Sequence, residues 1–154
     1  MKNVDYIIVG MGIAGLVFSK TLRDHGKSFV VIDNPNQGAT KASGGVLNPT
    51  VLKRFTPAWN TVEFVLKAAP FYESLATEIG QQVLSGVAIH RILSNVEEQN
   101  NWMVASDKEI LSRFLSPEIL KNKNTAINAP FGLGAVMQAS MMRPYDLLKA
   151  YQDF

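Results

Sequence analysis

The 154-residue chain contains no cysteine, which excludes disulfides, thiolate metal sites and a cysteine nucleophile. It has two histidines, His25 and His90, and neither has acidic partners at ligand spacing, so no metal site is expected. Charge is sparse as well. Charged residues make up 18% of the chain with a net charge of +2, so no basic stripe implies nucleic acid or an anionic membrane surface as a partner. No apolar run approaches the ~20 residues of a membrane span. The N-terminus offers only Lys2 and a short apolar run broken by glycine, which is too little for a secretory signal. The expectation is a soluble, cytoplasmic protein. Its 47% hydrophobic content suffices to bury the core of one domain.

Against these absences stands one dense motif. Val4-Asp5-Tyr6-Ile7-Ile8-Val9 leads into Gly10-Met11-Gly12-Ile13-Ala14-Gly15, and an apolar helical pattern follows. Strand, glycine turn and helix in this order form a site for a dinucleotide pyrophosphate. The first glycine permits the tight turn, the second lets backbone approach the phosphates, and the third lets helix and strand pack closely. Free N–H groups at the helix start, including those of Ile13 and Ala14, hold the negative charge with help from the helix dipole. Ala14, Val17, Phe18, Thr21 and Leu22 fall at the spacing of one buried helix face. Arg23 and His25 suit the last turn, and Gly26 suits a left-handed stop. Phe29-Val30-Val31-Ile32 then reads as a parallel strand covered on both faces, ending in Asp33. Asp33 lies 18 residues after Gly15, where a carboxylate can accept the hydroxyls of an adenosine ribose. These first 33 residues suit NAD as well as FAD.

Residues 34–50 are small, polar and rich in turn formers, and predict a long loop. A helix is predicted from Pro57 to Ile79, with Val62, Val65, Leu66, Ala69 and Ala76 as buried candidates and Pro70 as a point of kinking or splitting. Val83 to Leu93 reads as one or two strands, and Asn95–Ala105 and Glu109–Leu120 as short helices, the second interrupted near Pro117. Gly132–Met141 reads as a strand and Pro144 as the first turn of a helix to the end. Trp59 and Trp102 are expected to be core anchors, and Met137, Met141 and Met142 packing residues. No second βαβ unit follows the first, so the parallel sheet looks unfinished, and the chain is expected to be the N-terminal part of a longer protein.

The glycine motif, Asp33 and the loop Ala42-Ser43-Gly44-Gly45-Val46-Leu47-Asn48-Pro49 together resemble the D-amino-acid-oxidase-like family of FAD-dependent oxidoreductases. Gly134 to Pro144, followed by Leu147 and Leu148, is similar to the family's strand that returns from the substrate domain into a cofactor-domain helix. The resemblance implies an α/β fold, the N-terminal part of a Rossmann-like FAD-binding domain with the beginning of an α+β substrate domain. Residues 1–80 would form the first cofactor segment, 81–140 the start of the substrate domain, and 141–154 the return. It implies that Gly44, Gly45 and Val46 approach the flavin ring by backbone, and that Ser43 and Thr40 bond phosphate or ribitol oxygens. Lys41 and Arg54 are weaker candidates for stabilising negative charge. The family usually carries Glu where this chain has Asp33, a shorter arm with the same charge.

The implied activity is oxidation of a primary or secondary amine, often an amino acid, with hydride passing to flavin N5. No catalytic side chain is identified, and the substrate clamp of such enzymes would lie beyond Phe154. An NAD-dependent dehydrogenase and a non-catalytic dinucleotide-binding fragment are the competing readings. By itself the chain is expected to be inactive and prone to self-association through open sheet edges.

Overall fold

The computed structural model describes residues 3–34 and 38–154. Strand β1 (Tyr6–Val9) is followed by helix α1 (Ile13–Asp24), strand β2 (Phe29–Ile32) and a short helix α2 (Ala39–Ala42). Two-residue strands β3 (Val46–Leu47), β4 (Thr50–Val51) and β5 (Thr56–Pro57) precede the long helix α3 (Thr61–Ile79). Then come β6 (Ser85–Gly86), β7 (Ile89–Ile92), helix α4 (Val96–Ser106), a 3-10 turn at Leu111–Arg113, β8 (Leu115–Leu120), β9 (Leu133–Val136), β10 (Ser140–Met141) and helix α5 (Pro144–Asp153). The chain forms two compact units, one from Met1–Gly45, Ala76–Val83 and Met142–Phe154, the other from Val46–Leu75 and Leu84–Met141.

In the first unit β1 and β2 pair in parallel, Tyr6 opposite Phe29 through Val9 opposite Ile32. The alternation of side chains puts Ile8 into the core beneath α1, whereas Ile7, Val9, Val30 and Ile32 stand in the open, Val9 at 81% exposure. Only one face of this sheet is therefore covered among the described residues, although its sequence suits burial on both. The buried stripe of α1 also differs from the expected one. Leu16, Ser19, Lys20 and Leu22 are buried, whereas Ala14, Phe18 and Thr21 are exposed. The reason is polar pairing, which apolar periodicity does not register. Ser19 Oγ hydrogen-bonds Tyr151 Oη of α5 at 3.0 Å. Lys20 Nζ donates to Asp24 at 2.8 Å and to Glu78, and Arg23 pairs with the same Glu78. Burial disfavours the Lys20 charge, but the bonds to Asp24 and Glu78 outweigh it and hold the pKa above the ordinary lysine value.

Helix α3 runs through Pro70 without a break. Leu66 and Pro70 both face solvent, so the carbonyl that proline leaves unbonded can reach water. Its fully buried residues are Thr61, Tyr72 and Leu75, whereas the expected candidates Leu66 and Ala69 are exposed.

The second unit is built around an antiparallel sheet in the order β7-β9-β8. Its core gathers Leu93, Trp102, Ala105, Leu111, Leu115 and Val136. Trp102 of α4 is fully buried, with its indole N–H donating to Ser116 O at 2.8 Å and Phe55 edge-on at 5.8 Å. Asn95 caps α4 by accepting from Glu98 N–H at 2.7 Å. The segment expected as a second short helix, Glu109–Leu120, is instead a 3-10 turn and strand β8. A helix interior disfavours Pro117, whose ring removes a backbone donor, whereas an edge strand tolerates it, and here the pairing with β9 shifts register between Leu115 and Ile119. The predicted strand Gly132–Met141 is divided into β9 and β10 by Gln138, whose φ of +59° turns the chain. Trp59, expected as an anchor, is 82% exposed. The predicted loop 34–50 holds α2 and β3 and reaches the first residue of β4; Pro35–Gln37 lie outside the described residues.

Candidate functional site

The turn from β1 into α1 is dictated by its glycines. Gly10 adopts φ +92°, a left-handed value that favours glycine, and its N–H donates to Ile32 O at 2.8 Å. A Cβ on Gly15 would lie 2.1 Å from Gly10 O, so turn and helix approach more closely than any side chain allows. A Cβ on Gly12 would sit 3.0 Å from Thr40 Oγ1.

This arrangement leaves the start of α1 open to an anion. Gly12 occupies the N-cap position with no side chain to bond the helix, and the first turn contains no acid. Ile13 N–H donates to Thr40 Oγ1 at 3.0 Å, and Met11 N–H donates to Asp33 Oδ1 at 2.9 Å. The N–H groups of Gly12 and Ala14 have no partner among the described residues. Asp33 Oδ2 likewise has none there and is free to accept a hydroxyl. A cleft of about 370 Å³ opens beside Asp33, lined by Met11, Phe29 and Val31 and by Tyr151 of α5. Gly10, Gly12, Ile13, Ala14, Gly15, Asp33 and Thr40, each singled out in the sequence, thus meet at one place.

The Ser43-Gly44-Gly45 segment shows a local logic. Ser43 Oγ accepts the Gly45 N–H at 3.0 Å. Gly45 is buried at φ +68°, and a Cβ there would stand 2.1 Å from Met142 O. Its own carbonyl accepts the Met142 N–H at 2.9 Å. Packing on Met142 therefore requires glycine at 45 whatever the flavin does, whereas space around Gly44 is open. Val46 begins β3 of the second unit and is half-exposed opposite Met141. Lys41 lies on α2. Arg54, in the turn between β4 and β5, lines a polar cleft of the second unit together with Glu97 and Glu98. Met11 and Tyr151 were not expected at the site: a backbone N–H has no residue type to reveal it, and Tyr151 comes from the far end of the chain. No group of three or more His, Asp or Glu residues able to hold a metal occurs among the described residues. No helix of the described residues is long and apolar enough to cross a membrane.

Over residues 5–154 the sequence matches the DAO family of FAD dependent oxidoreductases. The chain belongs to this family. Its fold is similar to part of glycine oxidase from Bacillus cereus ATCC 14579, with a TM-score of 0.67 at 18% identity over 98% of this chain and 43% of that one. L-proline dehydrogenase from P. horikoshii superposes with a TM-score of 0.68 at 15% identity over 97% of this chain and 41% of that one. L-amino acid deaminase from Proteus vulgaris gives 0.70 at 13% over 99% and 38%. The chain thus spans about two fifths of the length of these neighbours. FAD is the cofactor of the DAO family, which sets aside the NAD reading that the first 33 residues left open. The chemistry of the glycine turn fits it: an uncapped helix start leaves N–H donors open, and a carboxylate with one free oxygen stands at the end of β2.

Proposed function

We propose that this chain supplies the cofactor-binding part of an FAD-dependent oxidase or dehydrogenase acting on a primary or secondary amine, with amino acids as the leading substrate class. The observation that carries this reading is the α1 start, where Gly12 and Ala14 N–H groups and the free oxygen of Asp33 lie within one glycine turn. The N–H groups bind the pyrophosphate and Asp33 Oδ2 accepts a ribose hydroxyl. Thr40 holds the Ile13 N–H and can turn its hydroxyl toward a phosphate oxygen. Ser43 fixes the Gly45 N–H, and the backbone of Gly44 and Val46 passes the flavin ring. When bound, FAD supplies the acceptor for a hydride from the substrate carbon, at N5. The protein's part is to orient the ring and to exclude water. The neighbours named glycine oxidase and L-proline dehydrogenase, one for a primary and one for a secondary amine, support the substrate class. A reducing, cytoplasmic setting suits a chain without cysteine.

The test is whether the enzyme to which this chain contributes carries a flavin that heat releases as free FAD, and whether primary and secondary amino acids bleach its visible absorbance without oxygen. Recovery of NAD alone, or no saturable FAD binding, would sink the reading. Asp33→Ala is expected to weaken FAD binding by roughly 1.5–3 kcal/mol, nearer the lower end because Asp33 is exposed. Asp33→Asn can still accept the Met11 N–H, so it separates bracing of the turn from charge on the ribose. Unchanged FAD affinity in Asp33→Ala would show that the carboxylate serves only the turn.

Residues 1–154 by themselves are expected to release no peroxide on addition of amines, even with excess FAD, because no side chain of the glycine turn can grip a substrate. They are also expected to self-associate through the open face carrying Ile7, Val9, Val30 and Ile32. Val9→Lys combined with Ile32→Glu should convert the oligomer to monomer in size-exclusion chromatography. Enzyme-like turnover, or a monomeric wild-type chain, would contradict these expectations respectively.

A further inference from the structure

A second cleft, of about 320 Å³, lies wholly within the second unit, between the β3 segment, the first half of α3 and the turn from β9 to β10. It is lined by no charged residue, in a chain where charge makes up 18% of the sequence. Its apolar wall is formed by Val46, Val65 and Ala69 and by two aromatic rings, Trp59 and Phe64, packed edge-on at 5.4 Å. Trp59 is 82% exposed, an expensive placement for a side chain of that size with no role in the core. Four neutral polar side chains interrupt the wall, Asn48, Thr61, Gln138 and Ser140. Asn48 Oδ1 accepts both the N–H and the hydroxyl of Thr50, at 2.9 and 2.8 Å, which fixes the amide with its NH₂ unpartnered among the described residues. Gln138 Nε2 is tied to Arg113 O at 3.3 Å, which leaves its Oε1 as an open acceptor. Ser140 adds a hydroxyl.

The backbone around this cleft is held against its preference at two points. Gln138 at φ +59° and Asn60 at φ +50°, the residue between the lining residues Trp59 and Thr61, both adopt left-handed conformations without being glycine. Such strain persists where surrounding structure enforces it and collects at ligand sites. Here it sets the Gln138 amide and the Trp59 ring at the cleft.

We infer that this cleft takes an uncharged, flat apolar group with a neutral polar edge, and that it holds the aromatic substituent of the amine substrate. Its naming as a substrate subsite rests on the amine-oxidoreductase reading, whereas the binding itself does not. A cavity of about 150 Å³ lined by apolar side chains accepts benzene, so this volume admits a ring with its attachment. Asn48 NH₂ and Gln138 Oε1 form a donor and acceptor pair for an amide or hydroxyl. A carboxylate or ammonium would lose its hydration here without a counter-charge.

Benzamide, benzoate and benzylammonium serve as probes of matched shape, titrated against the 154-residue chain with tryptophan emission as readout. Trp102 is fully buried, so the ligand-dependent change reports Trp59, and Trp59→Phe should abolish it. Benzamide should saturate and shield Trp59 from iodide, with the two charged probes binding at least tenfold more weakly. Gln138→Gly, which suits the left-handed backbone, should weaken benzamide about tenfold and leave toluene unchanged. Ala69→Phe, at an exposed helix position, should block all of them with the circular dichroism unaltered. Equal binding of the three probes, or no effect of either substitution, overturns the inference. FAD titration of the same samples separates the two ideas: loss of FAD binding with probe selectivity intact removes the flavin reading and leaves the pocket standing.

Discussion

Gly12→Val is expected to lower the affinity for FAD by at least a hundredfold while the protein keeps its circular dichroism and most of its thermal stability. The backbone at position 12, φ −79° and ψ −172°, is one that valine adopts readily. A Cβ there meets Thr40 alone, Oγ1 at 3.0 Å and Cβ at 3.9 Å, a contact that a shift of a few tenths of an ångström in the Thr40 side chain relieves. The added methyl groups would cover the Gly12 and Ala14 N–H groups, the two donors left open at the start of α1. Losing both removes charge-assisted bonds to phosphate together with close access to the helix dipole. Gly15→Ala makes the contrast. Its Cβ would lie 2.1 Å from a backbone oxygen that cannot rotate away, so that variant should lose folding of the first unit rather than binding alone. Titration of flavin fluorescence decides between them. A Gly12→Val protein that bound FAD within a few-fold of the original would place the pyrophosphate elsewhere.

The difference between these two glycines also shows what can be read from sequence. The spacing Gly10, Gly12, Gly15 and the acid at 33 announce the turn, because a phosphate-binding backbone demands residues without Cβ at fixed positions. The structure brings them together, and Thr40, which the resemblance also singles out, bonds the Ile13 N–H at the helix start from 27 residues away. Where apolar periodicity was the guide, the reading of α1 rotated to the wrong stripe. Lys20 and Ser19 are buried because Glu78 and Tyr151 satisfy them alongside the neighbouring Asp24, and partners as remote as Glu78 and Tyr151 leave no mark on local pattern. Trp59 and Trp102 are equivalent by composition, yet one is nearly bare and the other has no exposed surface. Only tertiary context separates them. Gly45 teaches the converse lesson, since the resemblance assigns its bareness to the flavin while the Met142 carbonyl already demands it.

Trp102→Ala should cost about 3–5 kcal/mol in denaturant unfolding of the second unit, the range for deleting a fully buried large aromatic residue. The side chain fills the space beneath β9, where a Cβ on Gly134 would come within 2.4 Å of the indole. It also supplies the N–H that Ser116 O accepts in β8. Gly134→Ala is correspondingly expected to destabilise by about 1–3 kcal/mol through overpacking. If the two positions are matched in shape, the pair must be non-additive. Trp102→Phe with Gly134→Ala should fall short of the sum of the single losses by at least about 1 kcal/mol, since the smaller ring makes room for the methyl group. Strict additivity would show that ring and glycine do not pack as described. This core also holds the turn that follows β9. Met137 N–H donates to Phe114 O at 2.7 Å, and buried Ala139 lies on the other side of Gln138. Loosening the core should therefore release the left-handed Gln138 and reduce the tenfold preference for benzamide over benzoate before the unit unfolds. A Trp102→Ala protein that kept full selectivity under native conditions would mean that the cleft is fixed by α3 and β3 alone.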